Sequence, residues 1–268
     1  MDVIDDDHSE FGGWDRGFTK RVIDAARPIG KRWFRWDVRG LETFPSDLGA
    51  LVVSNHSGGM LTADTLILAT ALYDRFGYRR PVLTLGHNAL FAGPVGDFMA
   101  RIGLIRADRL VAADALRSGA IVIVFPGGLY DAYRPTISEN VIDFNGRTGY
   151  VRTALEANIP IVPVVSTGGQ QSQLFLTRGT WLAKRLGLTR FRSDILPITV
   201  GFPFGLSAIV PINLPLPTKI VTRVLPPIDV VGQFGESPDI EEVDAHVRAL
   251  MQSALRELGS QRRFPLLG

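Results

Sequence analysis

Four short apolar runs of Val, Ile and Leu, at 50–53, 81–85, 120–125 and 159–165, alternate with stretches of helical spacing. Runs of that length without period-two alternation read as strands buried on both faces. Buried strands that alternate with helices restrict the chain to an α/β fold whose sheet is covered by helices on both sides. Ligands in such sheets bind beyond the carboxyl ends of strands. The run 50–53 hands over to Ser54-Asn55-His56, then to Gly58-Gly59, then to a helical stretch over 61–76 marked by Leu61, Thr65, Leu68 and Leu72. His56 therefore stands where a buried strand gives way to a helix, and it is the first candidate for a reactive residue.

The rest of the composition narrows the chemistry. With 268 residues, 46% of them apolar, and neither an internal repeat nor a linker, the chain reads as one domain. A net charge of +2 implies no general attraction to nucleic acid. The absence of Cys excludes disulfides, a thiol nucleophile and Cys-ligated zinc, and four scattered His give no basis for expecting a metal or another cofactor. No Gly-x-Ser-x-Gly elbow is present, which argues against a serine hydrolase, and no Gly-x4-Gly-Lys loop is present either.

Residues 1–15 read as a flexible acidic lead-in, not as a signal peptide. Residues 16–35 form a basic amphipathic helix, with Phe18, Val22, Ile29 and Trp33 on one face and Pro28 expected to kink or divide it. Two readings stay open for it: an anchor on a membrane surface, or a packed helix with solvated charges. Residues 195–217 carry no charge but five prolines, so they are expected to form loops and a short strand at a lipid surface, not a membrane span. The stretch 129–147 reads as loop. A closing helix is expected to be capped at Ser237-Pro238, with Ile240, Val243, Val247, Leu250, Met251, Ala254 and Leu258 docked on the core.

Four blocks in order resemble the PlsC-like lysophospholipid and glycerolipid acyltransferase family. Asn55-His56 followed by Asp64 is similar to its His-x4-Asp block. Gly103 with Arg109 six residues later resembles its second block. Phe125-Pro126-Gly127-Gly128 resembles Phe-Pro-Glu-Gly, and the strand at 159–165, with Pro160 and Pro163, resembles the fourth. Position 61, where the family has its Asp, is Leu, and position 127 is Gly in place of Glu. The Gly-Gly pair followed by Asp131 resembles the diacylglycerol-acyltransferase-type branch. The resemblance implies a single domain over 36–268 with a mixed, mostly parallel central sheet flanked by helices.

It also implies the chemistry. His56 would be the general base that deprotonates a lipid hydroxyl, and Asp64 its partner, provided that Gly58-Gly59 form a small insertion that returns the acid to the ring. Imidazole titrates near neutral pH, which suits that task. Arg109 would pair with a phosphate. Asn55 and Phe125-Pro126-Gly127-Gly128 would meet the substrate, the glycines by bringing backbone N–H groups close, and Asp131 would contact the acceptor's polar head. The partners implied are an acyl-CoA or acyl carrier protein thioester, a lipid acceptor and the cytoplasmic face of the membrane, where the protein would be monotopic. The displaced acids also motivate a rival, a catalytically silent lipid-binding protein on the same scaffold.

Overall fold

The computed structural model describes residues 13–191 and 194–262. Of the lead-in expected over 1–15, residues 1–12 lie outside them. The chain begins with α1 (Arg16–Phe34), β1 (Asp37–Arg39), β2 (Ala50–Ser54), α2 (Ala63–Phe76), β3 (Val82–Gly86), α3 (Gly93–Arg101) and β4 (Leu104–Arg106). It continues with α4 (Arg109–Arg117), β5 (Ile121–Val124), α5 (Gly128–Ala132), α6 (Gly149–Ala157) and β6 (Ile161–Thr167). Then follow β7 (Leu174–Thr177), α7 (Thr180–Arg185), β8 (Ile198–Gly201), β9 (Gly205–Ser207), β10 (Val221–Val224), α8 (Val230–Phe234) and α9 (Ile240–Ser260).

The four apolar runs become β2, β3, β5 and β6, and all four lie inside one seven-stranded sheet of order β1-β10-β6-β2-β5-β3-β4. Strands β6, β2, β5, β3 and β4 run parallel, and β10 pairs antiparallel with β6 and carries β1 at the edge. The sheet is thus mixed and mostly parallel. Alternate side chains explain why no period-two pattern is visible in the sequence. Leu51, Val53 and Val122 point into a core shared with α4, α6 and α9, whereas Ala50, Val52, Ile121 and Ile123 point into the core on the α2 side. Both faces are covered, so most positions are apolar, and each fully buried Val, Leu or Ile contributes roughly 1.5–3 kcal/mol. The pairing of Val53 with Val124 sets the carboxyl ends of β2 and β5 side by side.

Several local expectations change. Pro28 does not divide α1, which runs through it from an Asp15 cap that accepts from the Phe18 amide at 2.7 Å. Proline withholds one i→i−4 donor, but the helix is held by packing: Ile23 is buried and Gly30 lies under the Trp36 ring. The face that α1 buries is Thr19, Ile23 and Gly30, and the expected stripe is split. Phe18 packs edge-on against Phe98, whereas Ile29 is 71% exposed and Trp33 also faces outward. The closing helix starts later than expected, because Asp239 is the residue whose side chain caps it, accepting from the Glu241 amide at 3.0 Å. Leu250 lies at the edge of the α9 stripe and is exposed. The stretch 129–147 is not loop throughout, since α5 occupies its start. Residues 195–217 hold two strands, which join β7 in a separate antiparallel sheet of order β7-β8-β9.

Candidate active site

The connection between β2 and α2 carries His56. Gly58 and Gly59 take φ of +93° and +74°, a region glycine enters without a Cβ penalty. A side chain at Gly59 would also press on Phe175 and Tyr133, at 3.0 and 3.3 Å. The resulting turn brings Asp64, in the first turn of α2, back to the imidazole, with Oδ2 at 3.2 Å from His56 Nδ1. The same carboxylate accepts from the Ser57 and Thr65 amides, each at 2.8 Å. It stands at a helix amino end, where the dipole favours negative charge. A carboxylate can only accept, so Nδ1–H is the donor in this contact. The ring stacks on Phe125 with centroids 4.0 Å apart, and 14% of the His56 side chain is exposed.

A second carboxylate holds the backbone of the same residue. The His56 N–H donates to Asp131 Oδ2 at 2.6 Å, while Asp131 Oδ1 pairs with Arg134. Arg134 Nη1 also reaches the His56 carbonyl at 3.4 Å, and its Nη2 donates to the Glu139 carbonyl at 3.1 Å. Both residues are fully buried. Burial pushes the Asp131 carboxyl up, and the Arg134 guanidinium and the His56 amide pull it back. Asp131 therefore cannot serve as the contact to an acceptor's polar head: its oxygens point inward and are taken. Asn55 needs the same correction. It is buried, donates to the Ser166 carbonyl at 2.9 Å and accepts from the Ser166 amide at 2.8 Å, so it ties β2 to β6 and offers nothing to a substrate.

The glycines of the third block also work inward. A Cβ on Gly127 would stand 2.4 Å from the Asp131 Cβ, and the Gly128 amide donates to the Phe125 carbonyl at 2.9 Å. The Gly128 N–H is thus not free for a substrate. Phe125, Pro126 and Gly128 do reach a cavity of about 680 Å³, walled by apolar residues such as Leu51, Leu85 and Val124 and rimmed by Arg109, Arg147 and Arg152. Arg109 is 54% exposed and shares its guanidinium with Glu156, with Nε at 3.0 Å from the carboxylate. His87 lines the same cavity. Gln170, Arg134 and Arg147 were not singled out from the sequence. Gln170 follows the end of β6 and accepts from the Gly58 amide at 2.7 Å, and its place beyond a parallel strand was the available signal. Arg147 donates to the Pro126 and Gly127 carbonyls at 3.1 and 2.9 Å, a partnership across 20 residues that no local pattern announces.

Comparison with known proteins gives three concordant results. The acyltransferase family matches residues 35–167, which contain His56, Asp64, Arg109, the third block and β6. An uncharacterized protein of Mycobacterium tuberculosis is 32% identical over 96% of this chain and 71% of its own length. A human protein named as a DGAT1/2-independent enzyme synthesizing storage lipids is 24% identical over 79% of this chain and 63% of its own. The fold is similar to the crystal structure of PlsC, the 1-acyl-sn-glycerophosphate acyltransferase of Thermotoga maritima, with a TM-score of 0.55 at 19% identity over 90% of this chain and 81% of that one. The four blocks, the sheet that orders them and these matches agree, and the chain belongs to the PlsC-like acyltransferase family.

Proposed function

We propose that this protein is an O-acyltransferase that moves a fatty acyl group from a thioester, borne by CoA or an acyl carrier protein, to a lipid hydroxyl. The observation that carries the reading is the line from Asp64 through His56 to Phe125, with Phe125 forming part of a cavity wall. Nε2 takes the hydroxyl proton as the oxygen attacks the thioester carbonyl. The C–S bond then breaks, and the imidazolium returns the proton to the departing thiolate. Asp64 fixes the tautomer and stabilises the imidazolium between these steps. No step calls for a metal or a prosthetic group. A cavity of this size, largely apolar and lined by Arg109, Arg147 and Arg152 beside Asp108 and Asp194, suits an acyl chain with a phosphate-bearing carrier or acceptor. Arg109 and Arg152 are the candidates for that phosphate. The lipid-synthesizing relatives favour a lipid acceptor. The silent lipid-binding rival drew on the acids missing from positions 61 and 127; Asp64 at 3.2 Å from the ring speaks against the first of these grounds.

The same reading sets the protein on a membrane surface. Among the described residues no helix is long and apolar enough to cross a bilayer. Ile29 and Trp33 of α1 and Phe202, Phe204, Leu206 and Val210 around the small sheet are all exposed. The Trp33 indole donates to the Pro215 carbonyl at 2.8 Å, which joins the two regions. Basic residues of α1 border them, and anionic lipid of a cytoplasmic leaflet would attract these.

The test is to incubate purified protein with labelled acyl-CoA, or labelled acyl carrier protein, and a membrane lipid extract. An acylated lipid is the expected product, and no product from either donor would refute the reading. Flotation with vesicles containing anionic lipid should fall several-fold in F204S/V210S; unchanged flotation would count against this docking face.

A further inference from the structure

We infer that the buried Asp131–Arg134 pair is the positioning device of His56, acting on its backbone and not on its ring or on a substrate. The inference rests on the reading of His56 as the base. Each amide in the loop that carries His56 is fastened to a different point. His56 N–H goes to Asp131, Ser57 to Asp64, Gly58 to Gln170 and Gly59 to the Ala132 carbonyl at 3.0 Å. Asp131, Ala132 and Arg134 all belong to α5 or the turn behind it, so this one short element grips both ends of the loop. Arg134 completes the clamp by donating to the His56 carbonyl.

A role in stability alone explains the pair poorly. A buried ion pair replaced by apolar residues of similar size is often as stable or more so. Arg134 Nε is also buried without a hydrogen-bond partner, a further cost. What an apolar pair could not supply is an acceptor for the His56 amide. The glycine at 127 fits the same scheme, because any Cβ there would collide with Asp131. Position 127 is emptied so that position 131 can reach His56. With the amide fixed from α5, the Asp64 contact and the Phe125 stack fix the ring, and Nε2 is held in one place.

Two double variants isolate the effect. D131N/R134M and D131L/R134M both remove the ion pair, and they differ in whether position 131 can accept from the His56 N–H. Circular dichroism and thermal melting first establish that both fold. D131L/R134M is expected to show a kcat about 10–100-fold below that of D131N/R134M, with KM for the thioester within about twofold, since small misplacement of a reacting group costs that much. Equal kcat values would overturn the inference. H56A, assayed alongside, separates the two ideas: activity in H56A sinks the general base, whereas equal double variants with H56A inactive sink the clamp alone. A readout on the wild-type protein does not depend on the variants folding. The His56 amide should exchange with solvent as slowly as the amides of β2, and exchange at the rate of an open loop would overturn the clamp.

Discussion

Asp64 and Asp131 both hold His56, one at its ring and the other at its backbone, in unlike surroundings. Asp64 sits at the start of α2, and among the described residues its oxygens accept from amides, the imidazole and hydroxyls. Among the described residues its one ion-pair partner is the His56 ring. Asp131 is sealed beneath the loop and already faces the Arg134 guanidinium. Its charge is spent locally, and what remains is a fixed acceptor for one N–H. Two carboxylates thus meet one histidine at different places, Asp64 at the ring and Asp131 at the backbone amide. The difference comes from burial and partners, not from residue type.

That division can be broken at four points. His56→Ala should lower kcat by about 10²–10⁴-fold while leaving the circular dichroism spectrum unchanged, since general-base catalysis is worth that much; a smaller loss in a thioester assay would put the base elsewhere. Asp131→Ala should act on stability first. It strands Arg134 in the interior and should cost about 3–5 kcal/mol in urea unfolding, and a cost under about 1 kcal/mol would mean that water reaches the pair. Asp64→Asn should do the reverse. The fold should hold, and kcat should drop by roughly 10–100-fold through loss of the imidazolium's counter-charge and of the fixed tautomer. A fall in stability larger than the fall in kcat would erase the contrast between the two acids. Gln170→Ala is the mildest. It leaves the Gly58 amide without its acceptor and should cost about 1–2 kcal/mol, read as a lower unfolding midpoint; no shift would show that the Gly58 tie adds nothing.

Part of this site could be read from the residues in order. His56 was legible because a buried strand ending in a polar residue beside glycines is a local pattern, and β2 pairs as its composition requires. Asp64 was legible with the right proviso, since two adjacent glycines can reverse a chain. Asn55 and Asp131 were misplaced for one shared reason. A polar residue inside a motif faces a substrate or the interior with equal ease, and only the neighbours decide. Asn55 meets β6 more than a hundred residues away, and Asp131 meets Arg134 and the His56 amide. The continuity of α1 through Pro28 was equally hidden, because Trp36, α2 and α3 supply the packing that outweighs one lost donor.

The sequence by itself determined the α/β class, the four central strands and the order of the blocks, because apolar runs and turn residues are local along the chain. Only the tertiary structure decided which acid serves the ring, which serves the backbone, and which face of α1 stays in the open. Those outcomes depend on what covers each group, and burial is set by contacts between distant segments.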